Sequence, residues 1–477
     1  METARRIMRE LGAMGFEAYI VGGAVRDIVR GARPEDIDIA TTATPEQIVA
    51  IAKVQGWKAL AVGAAFGVVA VVVAGRTYEV ATLRSERYGA HCHRPETVTL
   101  GVSLEKDLAR RDFTINAMAM DANGQIIDLF GGREDLAAGI IRAVGNPVQR
   151  FSEDALRMFR AARFAARFDF DLEEQTQEAI PASLKRVAGL SVERVRNEIE
   201  KTLLAEYAVR GLDILRETGL LGAHCQARQQ GEICQLSILP ELVRLENVTQ
   251  NPRYHHYDVW RHTLEVVART PRTPILRWAA LLHDVAKGWP GVRCLNKEGQ
   301  PSDPGHDKIG AQAAVAILSR LKVERQVIAR VAWLIRHHLL FPAPEEKNVM
   351  KWLKRLLDRG FTNIDEFQEA LNQLFALHAA DRLGGHAQPD LVGLEHVRAI
   401  TNFMLTTVPF FPAQLAVSGR EIAAKLGGGP EVGCFQRNLL VRIQGGQLDN
   451  TPSALTVALD ARARRLAEKR READGKP

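Results

Sequence analysis

Short apolar stretches of strand length recur along residues 18–141 of the chain. They are separated by polar segments and by a helical pattern from about Thr44 to Gln55. The stretches are YIVGG, DIDIAT, FGVVAVVVAG, TYEVATLR and IIDLF. This pattern predicts an α/β or α+β unit at the start of the chain.

The pattern changes after Phe151, where helical periodicity continues almost without interruption to the end. Polar breaks around Gly222–Leu236 and Gly384–Pro389 are typical of linkers. We therefore expect a head that contains strands, followed by a long helical body.

The longest uncharged run lies between Lys58 and Arg76 and has seventeen residues. A membrane-spanning helix needs about 20 apolar residues. Gly63 and Gly67 interrupt the run, and five valines lie between Val68 and Val73. Because β-branched residues favour buried strands, the run predicts the core of a sheet and no membrane span.

Composition narrows the class of protein. The 477 residues are 46% hydrophobic and 25% charged, which is typical of a folded chain, and at roughly 150 residues per domain they predict about three units. The net charge of +6 weakly favours a polyanionic partner. The five cysteines form no C-x-x-C pair, and the first residues lack the apolar core of a secretory signal. We expect reduced thiols and a cytoplasmic protein.

The segment VGGAVRD follows an apolar strand and opens a helical pattern. Gly22 and Gly23 allow close approach of a ligand to the backbone, and Arg26 offers a forked donor. The segment therefore predicts a phosphate-binding turn, and an ordinary tight turn is the alternative.

Carboxylates recur on the next predicted strands. Alternation on a strand would place Asp36 and Asp38 on one face, and Glu79 lies on a strand expected to run beside them. Such carboxylates either bind a cation or form a polar edge. Three of them can hold two Mg²⁺ ions, the arrangement that nucleotidyl transfer requires.

Four ordered motifs resemble those of the class II tRNA nucleotidyltransferase and poly(A) polymerase family. They are VGGAVRD, DIDIAT, LARRDFTINAMA and FSEDALRMFRAARF. The resemblance implies an α+β fold class, with a mixed β-sheet in an N-terminal nucleotidyltransferase head and then an all-α neck, body and tail. The implied segments are a catalytic head (1–145), a neck with a base-recognition helix (146–222), an HD-type body (237–390) and a tRNA-binding tail (391–477).

The resemblance also implies roles for residues of the head. Asp36 and Asp38 would bind Mg²⁺, and Glu79 would orient or deprotonate the primer 3′-hydroxyl. Gly22, Gly23 and Arg26 would belong to the nucleotide site, Arg111 and Asn116 would hold the triphosphate and sugar, and Asp112 would accept from the ribose 2′-hydroxyl. Pairing of Asp112 with Arg110 or Arg111 is the structural alternative.

The fourth motif predicts a base-reading pair. Asp154 and Arg157 lie three residues apart after Ser152, a candidate N-cap, and therefore share a helix face. Asp154 can accept from the amino group of cytosine or adenine, and Arg157 can donate to the ring edge. Arg160 is assigned a role beside the triphosphate or the base. The alternative is an ion pair on the helix surface.

The stretch between Leu83 and Gly101 is poor in periodicity and predicts a mobile loop that carries Arg84. Family members that add all three nucleotides of CCA have such a loop. Its presence favours full CCA addition from CTP and ATP to tRNA. An A-adding enzyme or a poly(A) polymerase of the same family would share these motifs.

Imidazoles and carboxylates at the ends of successive helix patterns can converge on a divalent ion. Their order resembles the HD phosphohydrolase domain. The resemblance implies His262, His283, Asp284 and Asp381 as a minimal metal set, with His306 and His338 at a second position and His337 as the alternative to His338. The implied metal is Mn, Ni, Zn or Fe, and Lys287 could contact a phosphate oxygen. An HD phosphohydrolase with an RNA-binding head is the alternative of another class.

Overall fold

The computed structural model describes residues 1–63, 66–89, 95–229, 231–339, 341–357, 360–385 and 391–474. The chain divides into two compact units. One consists of Met1–Val248, Arg272–Trp278 and Val315–Arg325, and the other of Thr249–Pro271, Ala279–Ala314 and Gln326–Pro477. The division into head, neck, body and tail stays a prediction.

A seven-stranded mixed sheet forms the centre of the head. The strands are β1 (Ala18–Val21), β2 (Asp38–Thr41), β3 (Lys58–Gly63), β4 (Val68–Val73), β5 (Arg76–Thr82), β8 (Met118–Met120) and β9 (Ile126–Asp128). Their order is β3-β4-β5-β2-β1-β8-β9, and β2 and β5 pair in parallel whereas the other neighbours pair antiparallel. All five predicted strand segments lie in this sheet, which confirms the predicted fold class.

The valine-rich run forms β4, whose alternate residues Val69, Val71 and Val73 are buried. Helices cover the sheet and begin where the sequence offers caps. Thr44 accepts from the backbone of Gln47 and forms a capping box at the start of α3. The helices of the head are α1 (Glu2–Ala13), α2 (Gly23–Val29), α3 (Pro45–Val54), α4 (Leu104–Ala109) and α5 (Gly132–Ala138), with a 3₁₀ turn at Thr114–Asn116.

The stretch predicted as a mobile loop is a β-hairpin, so the prediction of an irregular loop is wrong. Strands β6 (Arg84–Tyr88) and β7 (Pro95–Leu100) pair antiparallel, and residues 90–94 lie outside the described residues. Alternation is weak in this stretch because most of its side chains are polar, so the periodicity gave no strand signal.

Helices follow the sheet from residue 147 onward. Helix α7 carries the second half of the fourth sequence motif and buries Phe159, Phe164 and Phe168. The elements are α6 (Pro147–Glu153), α7 (Leu156–Phe168), α8 (Glu174–Ser183), a 3₁₀ helix (Leu184–Gly189), α9 (Val192–Leu203) and α10 (Ala208–Glu217), with β10 (Ile140–Ile141) paired to β11 (Asp171–Leu172).

The segment predicted as the first linker is also ordered. Strands β12 (His224–Gln229) and β13 (Glu232–Ser237) form an antiparallel hairpin that buries Cys225. The linker prediction is therefore wrong here. The polar composition reflects a hairpin with only a few inward-facing residues.

The rest of the chain is mainly helical. Its elements are α11 (Pro240–Val243), α12 (Val259–Arg269), α13 (Pro274–Leu282), β14 (Cys294–Leu295), β15 (Pro301–Ser302), α14 (His306–Arg320), α15 (Arg325–His337), α16 (Glu346–Leu356), α17 (Ile364–Gly385), α18 (Val392–Thr407), a 3₁₀ turn (Pro412–Gln414), α19 (Gly419–Leu426), α20 (Pro430–Gln444) and α21 (Pro452–Asp474).

Two features of this part bear on the predictions. Gly384 and Gly385, assigned to the second linker, end α17, and residues 386–390 lie outside the described residues. Helices α19, α20 and α21 pack around an apolar cluster that includes Ile422, Leu439 and Leu455. In the described ranges, every helix is too short or too polar to cross a membrane.

Candidate active site and candidate metal centre

A cavity of about 590 Å³ lies in the first unit, between the sheet and α7. Asp38 and the predicted nucleotide-binding residues line it together, whereas Asp36 and Glu79 are outside its lining. These lining residues are Gly22, Gly23, Arg26, Arg111, Asp112, Asn116, Asp154, Arg157 and Arg160. Residues more than 130 positions apart in the sequence therefore share one site.

The glycine turn has the predicted strand-to-helix geometry. Gly22 follows β1 and has φ +71° and ψ −132°, a conformation that side chains with a Cβ rarely adopt. A Cβ at Gly22 would lie 2.8 Å from a terminal guanidinium nitrogen of Arg111. Because Gly22 has no side chain, the Arg111 guanidinium can occupy this part of the cavity.

Arg26, the predicted phosphate donor, is held by protein groups. Its side chain is buried and donates to Asn116 Oδ1 at 2.6 Å and to Asp27 Oδ1 at 2.9 Å. Burial lowers the pKa of Arg26, and the Asp27 carboxylate opposes that shift. In this structure, Arg26 orders Asn116 at the cavity wall.

The predicted acidic group is arranged around the parallel strand pair. Asp38 begins β2 and is in register with Glu79 on β5. Asp36 lies in a bend before the strand. The prediction that alternation along one strand places Asp36 and Asp38 on the same face is therefore wrong. Desolvation, then Glu79 and more weakly Asp36, raise the pKa of Asp38, whereas Arg111 lowers it. Mutually repelling carboxylates beside an arginine fit a cation site.

Asp112 is at the centre of a buried network. Its Oδ1 accepts from the Phe113 amide at 2.8 Å and Asn116 Nδ2 at 3.0 Å, and its Oδ2 accepts from Arg160 Nε at 2.7 Å. Burial opposes ionisation, but Arg160 holds the pKa of Asp112 well below its usual range. The alternative pairing with Arg110 or Arg111 is wrong, since both arginines bond Asp107.

Asp154 and Arg157 lie at the junction of two helices. Helix α6 ends at Glu153 and contains Ser152, so the prediction that Ser152 is an N-cap is wrong. Asp154 precedes the N-cap residue Ala155, and its Oδ1 accepts from the amide of Leu156, the first residue of α7, at 3.0 Å. Its other oxygen accepts from Arg194 at 3.1 Å.

Arg157 is fixed by the groups around it. It is 7% exposed and donates to Glu153 Oε2 at 2.9 Å, to the Arg150 carbonyl at 3.0 Å and to the Arg110 carbonyl at 2.7 Å. Both members of the predicted base-reading pair thus border the same cavity in fixed positions.

A second cluster lies in the other unit. The Nε2 atoms of His262 and His283 are 3.2 Å apart, and His262 Nε2 is 3.0 Å from Asp381 Oδ1. Asp284 lies between the rings: its Oδ2 is 3.2 Å from His283 Nε2 and its Oδ1 is 3.2 Å from His306 Nε2.

Backbone carbonyls orient three of these rings. The Nδ1–H groups of His283, His306 and His338 donate to the carbonyls of Ala280, Asp303 and Ile335 at 2.8, 2.7 and 2.6 Å. Each ring therefore presents Nε2 to the cluster, as histidines that bind metal commonly do when their other ring nitrogen donates to a backbone carbonyl. His337 instead lies against Trp333, with ring centroids 5.2 Å apart, so His338 is the histidine that enters the cluster.

The donor atoms fit divalent metal. His262, His283 and Asp284 form one metal-binding group, and Asp284, His306 and His338 form another, with the ligand atoms of each within 4.8 Å of one another. Both Asp284 oxygens and His306 Nε2 are buried, and although ionisable groups lie close to them, none of the three atoms has a partner in hydrogen-bonding geometry. Lys287 Nζ lies 2.7 Å from Asp284 Oδ2 and also bonds Gln250 at 2.8 Å. Buried polar atoms that lack partners are costly unless an ion satisfies them.

Comparison with known families assigns the parts of the chain. The family model "Poly A polymerase head domain" matches residues 18–142. Residues 18–142 are therefore similar to a poly(A) polymerase head domain. The models "Probable RNA and SrmB-binding site of polymerase A" and "HD domain" match residues 169–224 and 254–363. The candidate metal centre includes residues of that HD domain, together with Asp381 beyond the matched range.

Relatives with curated names carry the same head. The CCA-adding enzyme of Geobacillus thermodenitrificans (strain NG80-2) is 48% identical over 219 residues, which are 46% of this chain and 53% of that protein. The CCA-adding enzyme of Lactiplantibacillus plantarum (strain ATCC BAA-793 / NCIMB 8826 / WCFS1) is 43% identical over 240 residues, 50% of this chain and 58% of that protein. The chain thus spans about half the length of the curated relatives it matches.

A solved structure resembles the chain over its length. The Bacillus stearothermophilus CCA-adding enzyme, solved in complex with CTP, has a TM-score of 0.67 and 28% identity, covering 98% of each chain. This similarity agrees with a mixed-sheet head followed by helices.

The cavity also has lining residues that the sequence reasoning missed. Glu86 and Tyr88 on β6, Arg110 after α4 and Arg194 on α9 line the cavity. Tyr88 donates to Glu86 at 2.5 Å, and desolvation followed by Glu86 raises the pKa of Tyr88. A strand reading of SERY would have placed Glu86 and Tyr88 on one face. The HD domain likewise adds His255, whose ring centroid is 4.7 Å from that of His262.

Proposed function

We propose that this protein adds CCA to the 3′ end of tRNA by template-independent nucleotidyl transfer from CTP and ATP. The observation that carries the proposal is the convergence of Asp38, the glycine turn and the Asp154–Arg157 pair on one cavity. These groups supply a cation ligand, a phosphate-binding turn and a base-reading edge. The relatives named as CCA-adding enzymes support the same activity.

The side chains divide the work of the proposed reaction. Asp154 accepts from the amino group that cytosine and adenine share, and Arg157 donates to the ring edge. Arg111 beside Gly22 contacts the triphosphate. Asp112 and Asn116, with Arg160, hold the sugar side.

The acidic residues serve the attacking 3′-hydroxyl group, by binding Mg²⁺ and by orienting the hydroxyl. Asp36 and Asp38 would hold Mg²⁺, and Glu79, in register with Asp38, would orient the primer 3′-hydroxyl for in-line attack on the α-phosphate. When bound, Mg²⁺ supplies charge neutralisation at the attacking oxygen and the leaving pyrophosphate.

For the HD domain we propose a metal-dependent hydrolase activity on phosphate esters or cyclic phosphates. The four imidazoles and Asp284 favour a transition ion such as Mn, Ni, Zn or Fe over Mg²⁺. Lys287, next to Asp284, is placed to contact a phosphate oxygen.

The remaining assignments complete the proposal. Residues 391–477 form a tail that binds tRNA, and the excess of basic residues favours this partner. Five cysteines without a C-x-x-C pair support a cytoplasmic protein.

Extension of a tRNA that lacks CCA tests the main proposal. With Mg²⁺, CTP and ATP, the purified protein should add three nucleotides, and the Asp36→Ala/Asp38→Ala variant should add none. The same variant should retain hydrolysis of a phosphate ester with Mn²⁺ or Ni²⁺. Failure of the wild-type protein to extend the tRNA would contradict the proposal. Hydrolysis in a wild-type protein that extends no tRNA, unchanged by both substitutions, would favour the phosphohydrolase alternative.

Single-nucleotide assays separate CCA addition from polyadenylation, which the poly(A) polymerase head domain also suggests. CCA addition requires CTP on a tRNA that ends before CCA, whereas a poly(A) polymerase would extend RNA with ATP alone. Asp154→Ala should lower kcat/KM for CTP and ATP about tenfold, since a good base contact discriminates by roughly 1–3 kcal/mol. Glu174→Gln, an exposed change on α8, is the matched control.

A further inference from the structure

Asp107 of α4 is a carboxylate behind the cavity wall rather than part of its lining. It is 1% exposed, and its two oxygens have separate partners. Oδ1 accepts from Arg110 NH2 at 2.7 Å and Nε at 3.0 Å and from the Arg84 amide at 3.3 Å. Oδ2 accepts from Arg111 NH2 at 3.0 Å. Burial opposes its charge, but Arg111 and Arg110 hold the pKa of Asp107 below its usual value.

The guanidinium of Arg111 faces the reacting side of the cavity. One of its terminal nitrogens bonds Asp107, and the other lies beside Gly22, 2.8 Å from where a Cβ would stand. Its charge is near enough to Asp38 to lower the pKa of that carboxyl. Arg111 therefore lies between the glycine turn and the proposed metal ligand, where the triphosphate of the proposed reaction has to bind.

The other oxygen of Asp107 is anchored independently. Arg110, its partner, also donates to Glu86 Oε1 at 3.0 Å and to the Arg84 carbonyl at 2.9 Å. Because the carboxylate is planar, the bonds from Arg110 to Oδ1 also fix the position of Oδ2, which points toward Arg111. Charge-assisted bonds of this kind are short and directional.

We propose that Asp107 is a positioning residue that aims the Arg111 guanidinium at the triphosphate of the incoming nucleotide. This inference rests on the proposed function and adds to it a residue that does not touch the substrate. Without Asp107 Oδ2, Arg111 would lose the bond that holds it over Gly22.

The substitution Asp107→Asn keeps one of the two acceptor oxygens of Asp107 and replaces the other with an NH₂ donor. Its amide has one acceptor oxygen and one NH₂ donor, and the oxygen should face Arg110 and the Arg84 amide, which together offer three N–H bonds. The NH₂ group would then face Arg111, where two donors cannot bond. Asp107→Asn should therefore release Arg111 and leave Arg110 in place.

The test compares nucleotides with and without the β- and γ-phosphates. We expect Asp107→Asn to weaken CTP binding about tenfold, the cost of one charge-assisted bond, and to change CMP binding less than about twofold. In tRNA extension, KM for CTP should rise while kcat stays within about twofold. Glu105→Gln, an exposed change on the same helix, is the control and should alter neither ligand.

Two further variants make the result specific. Arg111→Lys should weaken CTP binding in the same way, and the double variant should bind no worse than either single one, because both changes remove one interaction. Asp107→Glu, which keeps the charge, should recover much of the lost affinity. Equal weakening of CTP and CMP, or additive losses in the double variant, would overturn the proposal.

A structure of the wild-type protein with CTP decides the matter if the Asp107 variants do not fold. Contact between Arg111 and a phosphate oxygen, with the Asp107 bond retained, is expected. Absence of that contact would overturn the inference. Wild-type protein that binds CTP but cannot extend tRNA would instead refute the proposed function, so the two failures are distinguishable.

Discussion

At the scale of single residues, the cavity places like charges together at a cost to the folded state. The pKa of Asp38 is raised by desolvation, then by Glu79 and more weakly by Asp36. A carboxyl whose pKa is higher in the folded than in the unfolded chain destabilises the fold when it is ionised. Mg²⁺ binding would offset this repulsion.

Removal of the Asp38 charge should therefore raise the stability of the folded protein and abolish its activity. Asp38→Asn should raise the midpoint of thermal unfolding at pH 7 without Mg²⁺, because the variant never carries the unfavourable charge. The gain should vanish below the ordinary aspartate pKa of about 4, where wild-type Asp38 is protonated in both states. Extension of tRNA should be lost.

Calorimetric scans at pH 7 and pH 3, with and without Mg²⁺, measure this effect. Added Mg²⁺ should stabilise the wild-type protein more than Asp38→Asn. If Asp38→Asn is less stable than wild type at pH 7 without Mg²⁺, the ionised Asp38 carboxylate does not destabilise the fold and the prediction is wrong.

At the scale of elements, turns and hairpins set the positions of functional side chains. The turn from β1 to α2 gives Arg111 its space, and the hairpin β6–β7 brings Glu86 to Arg110. In the HD domain, the segment that ends with β15 leads into α14, whose first residue is His306. Local backbone geometry thus decides which donor atoms meet.

Gly22→Ala should affect the nucleotide site beyond its backbone strain. Positive φ and the approach to Arg111 should together destabilise the protein by roughly 1–3 kcal/mol and raise KM for CTP. Gly75→Ala in the β4–β5 turn is the control, since Gly75 has φ +76° and nothing within 4 Å of its Cβ position. Thermal unfolding and CTP titration of both variants provide the measurement; equal CTP affinity in the two would contradict a role for the space at Gly22.

Asp303 should govern the second metal position of the HD domain. Its carboxylate accepts from Arg293 Nε at 2.8 Å and from the Gly288 amide at 2.9 Å, and its carbonyl orients His306. Asp303→Ala should remove the bonds that hold the chain before His306. It should reduce bound transition metal from about two ions to one per chain, because only the group of Asp284, His306 and His338 is disturbed. Elemental analysis after dialysis measures the ratio, and Lys297→Ala, at an exposed position, is the control. An unchanged ratio would show that His306 needs no such support.

At the scale of the whole molecule, the two candidate sites belong to different units. The nucleotide cavity is built from residues of the first unit, and the metal cluster from residues of the second. Each site has its own charged network, and the described residues of one network do not appear in the other. The two proposed activities should therefore be separable by mutation.

Asp284→Asn tests this separation from the side of the HD domain. Loss of the shared carboxylate should abolish metal-dependent phosphatase activity and lower bound transition metal, since Asp284 belongs to both metal-binding groups. Addition of CCA should stay within about twofold of wild type. Parallel phosphatase and tRNA-extension assays, with circular dichroism as a check of folding, measure the outcome. A comparable loss of both activities in a folded variant would contradict independent sites.

Local pattern was sufficient for much of the fold and part of the site. Strand β4 follows from its valines, the turn at Gly22 from two glycines after an apolar strand, and helix α3 from the helical pattern from about Thr44 to Gln55. These features depend on residues within a few positions of one another. Hairpins β6–β7 and β12–β13, each a two-stranded sheet of its own, were missed because their polar strands have little apolar alternation to reveal them.

By itself, the sequence determined the order of elements and the residue types that each candidate site holds. Only the tertiary structure decided the partners: Arg160 for Asp112, His338 rather than His337 for the metal cluster, and Asp107 for Arg111. The physical reason is that strand and helix preferences act over a few bonds, whereas a buried charge takes whichever partner the packed chain brings within about 3 Å.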